Sequence, residues 1–297
     1  MYQLMRPLFL LLLFLLSLNS RGQINRTPEQ LSRLQFDSIT NVLENVYEAD
    51  QGLRAAIDTI ALKFGNNSEE MKHHWRKIRL TDSINLQIVC TIVDTYGWLS
   101  EEEISVKAHD AQWLVIQHSD LATQLKYLPL LEAAMKTGKV KAKRYAYLFD
   151  RILTAQGKFQ IYGSQFQVNP SGKAYVYPIA DAPHVNQRRR EVGLDPLEIV
   201  AKEMGLDYQV PTEDPYKDKI VIMGLVVDAA YKPIESAVIS LADKMLVKTD
   251  KNGEYFIVID KKQKDTGLQL KKVGYQTAVI ALREDKDVFE AIFVMSK

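Results

Sequence analysis

Between Gln117 and Gln165 the chain sets polar side chains directly beside strongly apolar ones. Gln117-His118 follows Trp113-Leu114-Val115-Ile116, Asp150-Arg151 follows Tyr147-Leu148-Phe149, and Gln160-Ile161-Tyr162-Gly163-Ser164-Gln165 comes after both. A buried polar group without a partner costs about 1 to 3 kcal/mol, so this concentration implies either a closed hydrogen-bond network or a pocket. His118 can carry a proton near neutral pH, and Asp120 or Asp150 could orient its ring or, if desolvated, act as the base. His118, Asp120 and Asp150 are therefore the candidate catalytic set. Arg151 and Arg189 present planar forks suited to a carboxylate or phosphate. Gln160, Tyr162 and Gln165 offer amides and a phenol to a polar neutral ligand such as a sugar or peptide backbone. Each also has a structural reading: a histidine at a helix end often fills a core or caps a helix, and Arg188 to Arg190 suit a salt-bridged helix surface.

The set reaches upstream. In a helix, Asp82 shares a stripe with Trp75, Ile78, Asn85, Leu86 and Val89 at steps of three and four, which places its carboxylate on or beside a buried seam. Such a carboxylate needs a cation, and Arg54, Arg151 and Arg189 are candidates. A structural ion pair and a site role are equally good readings of it. Asp50, Gln51, Arg54, Asp82, Asn85, Gln117, Arg151, Gln160, Tyr162, Gln165 and Arg189 together form the candidate ligand-binding set.

Several chemistries lack their signature. None of the five histidines stands in a His-x-x-Glu or His-Glu-x-x-His spacing, and His73-His74, adjacent on a charged helix, read as surface residues, so no metal site is expected. No nucleophilic triad, phosphate-gripping glycine loop or dinucleotide fingerprint is recognisable, and no cofactor is expected. Cys90, the one cysteine, lies in Ile88-Val89-Cys90-Thr91-Ile92-Val93 and reads as a buried inert thiol with no intrachain disulfide partner. With a formal charge of +1 and both signs interspersed, the chain has no basic field for nucleic acid.

The elements that must position these residues divide by period. Residues 1–22 read as an export signal, with Arg6 before an apolar run of about 12 residues, too short to span a membrane, and Ser20-Arg21-Gly22 before a cut. Cleavage would leave no transmembrane segment, and the protein is expected to be exported: periplasmic, associated with the outer membrane, or secreted. Residues 24–210 form a mainly helical domain. Thr27-Pro28-Glu29-Gln30 and Ser100-Glu101-Glu102-Glu103 are capping boxes, Ser68 opens a long helix stopped by Gly97, and residues 51–64 make a helix stopped by Gly65. Pro129 kinks or divides the following helix, residues 139–156 make another, and 197–204 a last one closed by Gly205. Residues 159–168 and 174–177 look extended around an Asn169-Pro170-Ser171-Gly172 turn, so Gln160, Tyr162 and Ser164 would share one strand face. Residues 211–218, with two prolines and four charges, suit a linker. From 219 to 297, runs at 220–227, 237–241, 244–249, 255–259, 268–272, 277–282 and 288–295 predict seven strands in an antiparallel sandwich. The expected fold class is thus multidomain, a mainly α-helical domain followed by an all-β sandwich.

The strand-rich segment resembles the carboxypeptidase regulatory-like domain, a transthyretin-like sandwich frequent in exported proteins of Bacteroidetes. The resemblance is carried by Gly224-Leu225-Val226-Val227-Asp228, Pro233-Ile234, Ala237-Val238, Thr249-Asp250, Gly253, Tyr255 and Val273-Gly274-Tyr275. It implies a fold and no catalytic residues, so a zinc carboxypeptidase is not expected. Residues 50–197 resemble an uncharacterised bacterial domain family through Asp50-Gln51-x-x-Arg54, Asp82-x-x-Asn85, Gly97-Trp98, Gln117-His118-x-Asp120, Asp150-Arg151, Gln160-x-Tyr162-Gly163-Ser164-Gln165, Pro178-Ile179 and Arg189-Arg190-x-x-Gly193-Leu194. That resemblance implies no mechanism.

The expectation is an exported protein whose helical domain binds a small polar or anionic ligand, such as a glycan or peptide, or an envelope partner. A metal-independent hydrolase or transferase using His118 with Asp120 or Asp150 is the alternative, and a structural or interaction module without a ligand is a third reading.

Overall fold

The computed structural model describes residues 28–169, 172–282 and 286–297. The export segment, the capping residue Thr27 and the turn residues Pro170 and Ser171 lie outside the described residues. The chain divides into two compact units, one ending at Lys141 and the other running from Ala142 to Lys297. Among the described residues no helix is long and apolar enough to cross a membrane.

The first unit is helical: α1 (Pro28–Arg54), α2 (Ile57–Phe64), α3 (Glu69–Tyr96), α4 (Val106–Gln117) and α5 (Leu121–Lys136). Helix α3 starts where the Ser68 side chain accepts the Met71 N–H at 3.1 Å and ends at Gly97, as the cap residues dictate. Its buried stripe is Met71, His74, Ile78, Asn85, Val89, Ile92 and Val93, at helical spacing. Helix α1 packs most extensively on α4 and also on α3, with Ile39, Leu43 and Val46 buried.

Four sequence expectations change here. Trp75 is 40% exposed, so the seam passes it by. His74 is buried rather than superficial, because its Nε2 meets the Leu53 carbonyl at 2.7 Å beyond the end of the α1 ladder. The Ser100 box closes only a turn, with Glu103 accepting the Ser100 N–H at 2.7 Å, and α4 begins after Ser105, whose hydroxyl caps Ala108. Of the two outcomes expected at Pro129, division does not occur, since α5 runs through it.

The second unit begins with α6 (Ala142–Ala155), the hairpin of β1 (Phe166–Val168) and β2 (Ala174–Val176), a 3-10 turn Ala182–His184, α7 (Val185–Glu191) and α8 (Leu197–Glu203). Seven strands follow: β3 (Lys219–Asp228), β4 (Val238–Leu241), β5 (Lys244–Lys248), β6 (Glu254–Asp260), β7 (Leu268–Lys271), β8 (Ala278–Ile280) and β9 (Val288–Met295). They form a three-stranded sheet, β6-β3-β9, and a four-stranded sheet, β5-β4-β7-β8. All pairings in these sheets are antiparallel except β3 with β9, the first strand against the last. Alternation builds the core: Tyr255, Ile257 and Ile259 are buried while Phe256 and Val258 point outward, and Ile222, Ile239 and Leu270 join the same buried cluster from both sheets. The outer face of β3 and β9 carries a second, smaller cluster, Val221, Met223, Val288 and Tyr177, with Phe159, Tyr175 and Tyr216 packed against it. Tyr216, within the expected linker, stacks on Phe159 at 5.4 Å.

Gly224 leaves no room for a side chain beside β9: a Cβ there would sit 1.8 Å from the Ala291 carbonyl oxygen, at a φ of 149° that side chains disfavour. Gly224→Ala is expected to lower stability by about 3 kcal/mol. Gly205→Ala, at an αL position with open space around it, should lose only about 1 kcal/mol. Urea denaturation of both variants checks this, and equal losses would show that the close strand approach is not constraining.

Candidate functional site

The Asp50 carboxylate, 1% exposed near the end of α1, is the hub of the first unit's polar cluster. Its Oδ1 accepts Arg54 Nη1 at 2.8 Å and lies 3.3 Å from His118 Nδ1, while Oδ2 accepts Gln51 Nε2 at 2.6 Å. Arg54, one turn along α1, places Nη1 and Nη2 on Asp82 of α3 at 3.0 Å. One guanidinium thus joins two carboxylates on two helices, a geometry only Arg's fork allows. Burial opposes the Asp50 charge more than any other single influence. The His118 hydrogen bond and charge, Arg54 and Gln51 together outweigh it and hold the carboxyl below its ordinary value.

An ionised Asp50 can only accept, so His118 Nδ1 must carry the proton between them. In the neutral ring, Nε2 then presents a lone pair, and no described residue hydrogen-bonds it. His118 lies at the C-terminus of α4, and its backbone N–H closes the last turn on Leu114. The side chain is 22% exposed and lines a cleft of about 350 Å³ together with Asp50, Asp82 and Asp120. Arg79, Ser83, Leu86, Val115 and Ser119 complete the lining. Arg79, Asp82, Ser83 and Leu86 share one face of α3 by their spacing, so the Asp82 stripe could have revealed Arg79 and Ser83.

The carboxylates expected to orient His118 are engaged elsewhere. Asp120 caps α5 by accepting the Thr123 N–H at 2.8 Å, which also lowers its pKa. Asp150, fully buried on α6, accepts from three backbone N–H groups: Ile161 at 2.7 Å, Tyr162 at 3.1 Å and Ser164 at 3.0 Å. Burial pushes its carboxyl up, against the pull of those three donors.

Asp150 belongs to a clamp in the second unit. Arg189, 2% exposed, donates to the Tyr162, Gly163 and Asp195 carbonyls at 2.8, 3.2 and 2.5 Å. Arg188 Nε donates to the Ile161 carbonyl at 2.9 Å. Gln160, also fully buried, donates to the Gln165 and Tyr177 carbonyls and accepts the Gln165 N–H at 2.8 Å. Gln165 in turn reaches the Ser164 hydroxyl at 3.0 Å. The carboxylate takes the amides of Ile161, Tyr162 and Ser164 and the two arginines take the carbonyls of Ile161, Tyr162 and Gly163, so this stretch is a clamped turn, and the expected strand begins only at Phe166. Gly163 bends here at φ 64°, where a Cβ would press within 2.9 Å of Leu197. Tyr162 is partly buried, and burial followed by the Asp150 charge raises its phenol pKa.

The candidate residues therefore gather in two places. Asp50, Asp82, His118 and Asp120 line the helical cleft, with Gln51 and Arg54 bonded to its carboxylates, whereas Asp150, Gln160, Tyr162, Gln165 and Arg189 belong to the clamp. Asn85 ties α3 to the Val46 carbonyl at 3.4 Å. Gln117 is 3% exposed with its Oε1 lacking a described partner, and half-buried Arg151 leaves its buried Nε without one, desolvation lowering its pKa. Sequence reasoning missed Gln124, whose amide closes the α4–α5 turn on the Gln117 and Ser119 carbonyls at 3.1 and 2.9 Å. Among the described residues no group of three or more His, Cys, Asp or Glu could hold a metal ion. Cys90 is only partly buried.

Residues 37–210 match the model of DUF6624, a family of unknown function. The chain belongs to this family. The DUF6624 stretch contains both the cleft and the clamp and takes in parts of both compact units, so family and compactness divide the chain at different places. No curated protein matches the chain. Among solved structures, a 3-chlorocatechol 1,2-dioxygenase from Rhodococcus opacus 1CP is 14% identical over 75% of this chain and 98% of that one, at a TM-score of 0.20 that carries no argument.

The Asp50 pairing has a definite pH signature. A carboxyl with a lowered folded pKa contributes stability that is complete above its unfolded value, about 3.9, and is lost as pH falls through the folded one. Asp50→Asn is expected to cost about 3 kcal/mol at pH 7, with the gap to wild type closing below about pH 4. Thermal melts across that range check it. A gap of constant size would contradict the ionised hub.

Proposed function

We propose that the helical unit of this DUF6624 protein binds a small, uncharged polar ligand in the cleft beside His118. The supporting observation is the His118 ring itself, fixed through Nδ1 on buried Asp50 with Nε2 left for a ligand donor. Charge favours a neutral ligand over an anion. Arg54 is consumed by Asp50 and Asp82, and Arg189 by backbone carbonyls, which leaves exposed Arg79 as the cleft's remaining guanidinium against the Asp120 carboxylate. A sugar hydroxyl or a peptide amide supplies the donor Nε2 needs.

The same dyad favours proton transfer as a second reading, since an imidazole backed by a carboxylate is a competent general base. The amino-terminal apolar segment supports export, and an exported protein would meet its ligand among envelope or extracellular molecules. The carboxypeptidase regulatory-like resemblance of the sandwich supports an accessory module without catalytic groups of its own.

Calorimetric titration with N-acetylglucosamine oligomers, muropeptides, dipeptides and, as an anion, citrate tests the binding reading. We expect a neutral member of the panel to bind, and His118→Ala, still folded though less stable for the lost Asp50 donor, to weaken it at least about tenfold. Binding of citrate alone, or affinity unchanged by His118→Ala, would overturn the proposal. Turnover of the bound compound, lost in His118→Ala with affinity retained, would establish the proton-transfer reading in its place.

A further inference from the structure

The second unit holds a larger groove of about 710 Å³, within the range of ligand pockets, between the β1–β2 hairpin and the outer face of the β6-β3-β9 sheet. The register aligns Phe256, Met223 and Glu290 in one row across this face, with Glu254, Leu225 and Ile292 in the next. Tyr175 and Tyr177 cover the neighbouring Val221 and Val288 end, but Phe256 remains 49% exposed and Ile292 56% exposed. Two polar struts join the hairpin to the sheet: the Tyr175 hydroxyl donates to Glu290 Oε1 at 3.2 Å, and Asn169 Nδ2 donates to Glu254 Oε2 at 2.8 Å. The groove is therefore walled, apolar along its floor and open.

Its charge selects an occupant. Asp250, Glu254 and Glu290 line it against Lys173 alone, and neither Asp250 nor Glu290 is paired with a described lysine or arginine. Carboxylates alternate with apolar groups at the two-residue period of the strands, which matches the side-chain spacing of an extended chain.

We propose that this groove binds an extended peptide segment of a partner protein, in which apolar residues alternate with lysine or arginine. The apolar side chains lie on Phe256 and Ile292, and the cations face Glu290 and Asp250. This site is separate in residues and chemistry from the His118 cleft.

The test titrates the full chain with a fluorescein-labelled octapeptide of alternating lysine and valine, by anisotropy at low and high salt. Saturable binding is expected, weaker at high salt, with Phe256→Ala and Glu290→Lys each reducing affinity at least about tenfold and His118→Ala leaving it unchanged. Phe256, Glu290 and Ile292 are exposed, so the variants should melt with wild type; Ile292→Thr serves as a second variant if Phe256→Ala does not. Absence of saturable binding, equal binding of an octapeptide of alternating glutamate and valine, or affinity indifferent to Glu290→Lys would overturn the proposal. So would displacement of the peptide by an N-acetylglucosamine oligomer, or sedimentation showing a dimer that Phe256→Ala dissolves.

Discussion

Burying a carboxylate costs several kcal/mol unless cations and donors surround it, and in the helical unit that requirement falls on Asp50. Everything nearby answers to it. Arg54 must stand one turn away to reach both Asp50 and Asp82, which fixes the α1 end against α3. His118 must bring Nδ1 to the same oxygen, which fixes the end of α4 and leaves the opposite ring nitrogen for the cleft. The structural ion pair and the candidate site, alternatives when Asp82 is read alone, are here one network: the bridge that holds the helices also sets the histidine's tautomer.

The second unit solves a related problem differently. Asp150 is as deeply buried as Asp50, yet its partners are the backbone amides of Ile161, Tyr162 and Ser164, with Arg188 and Arg189 taking carbonyls of the same turn. A carboxylate whose lone pairs are filled by amides is poorly placed to exchange protons, whereas one sharing an oxygen between Arg54 and His118 can stabilise an imidazolium. This contrast is why the proposed chemistry sits at His118 and Asp50, and why the Gln160 to Gln165 motif is best understood as architecture.

Much of the fold was legible because it depends on local periodicity. Seven strands beyond residue 219 followed from two-residue alternation and turn chemistry, and α3 from Ser68 and Gly97, since caps act within one turn. Legibility failed where a partner lies far along the chain. His118 meets Asp50 across 68 residues, and the nearer Asp120, one of two partners read from the sequence, is occupied as a helix cap. The Asp150 partners were invisible because a backbone N–H has no residue type. His74 looked superficial beside charged neighbours, and only the Leu53 carbonyl reveals why it is buried. The sequence thus identified Asp50, Asp82, His118 and Asp120 of the cleft, but not which of them touch.

The central claim is that ionised Asp50 fixes His118 with its proton on Nδ1, and nitrogen-15 chemical shifts of the imidazole ring, measured by long-range correlation NMR above the histidine titration, test it most directly. The account predicts a protonated Nδ1 and a bare Nε2 for His118, with the preference lost in Asp50→Asn. A bare Nδ1 with the proton on Nε2, or a pattern that survives Asp50→Asn, would contradict it.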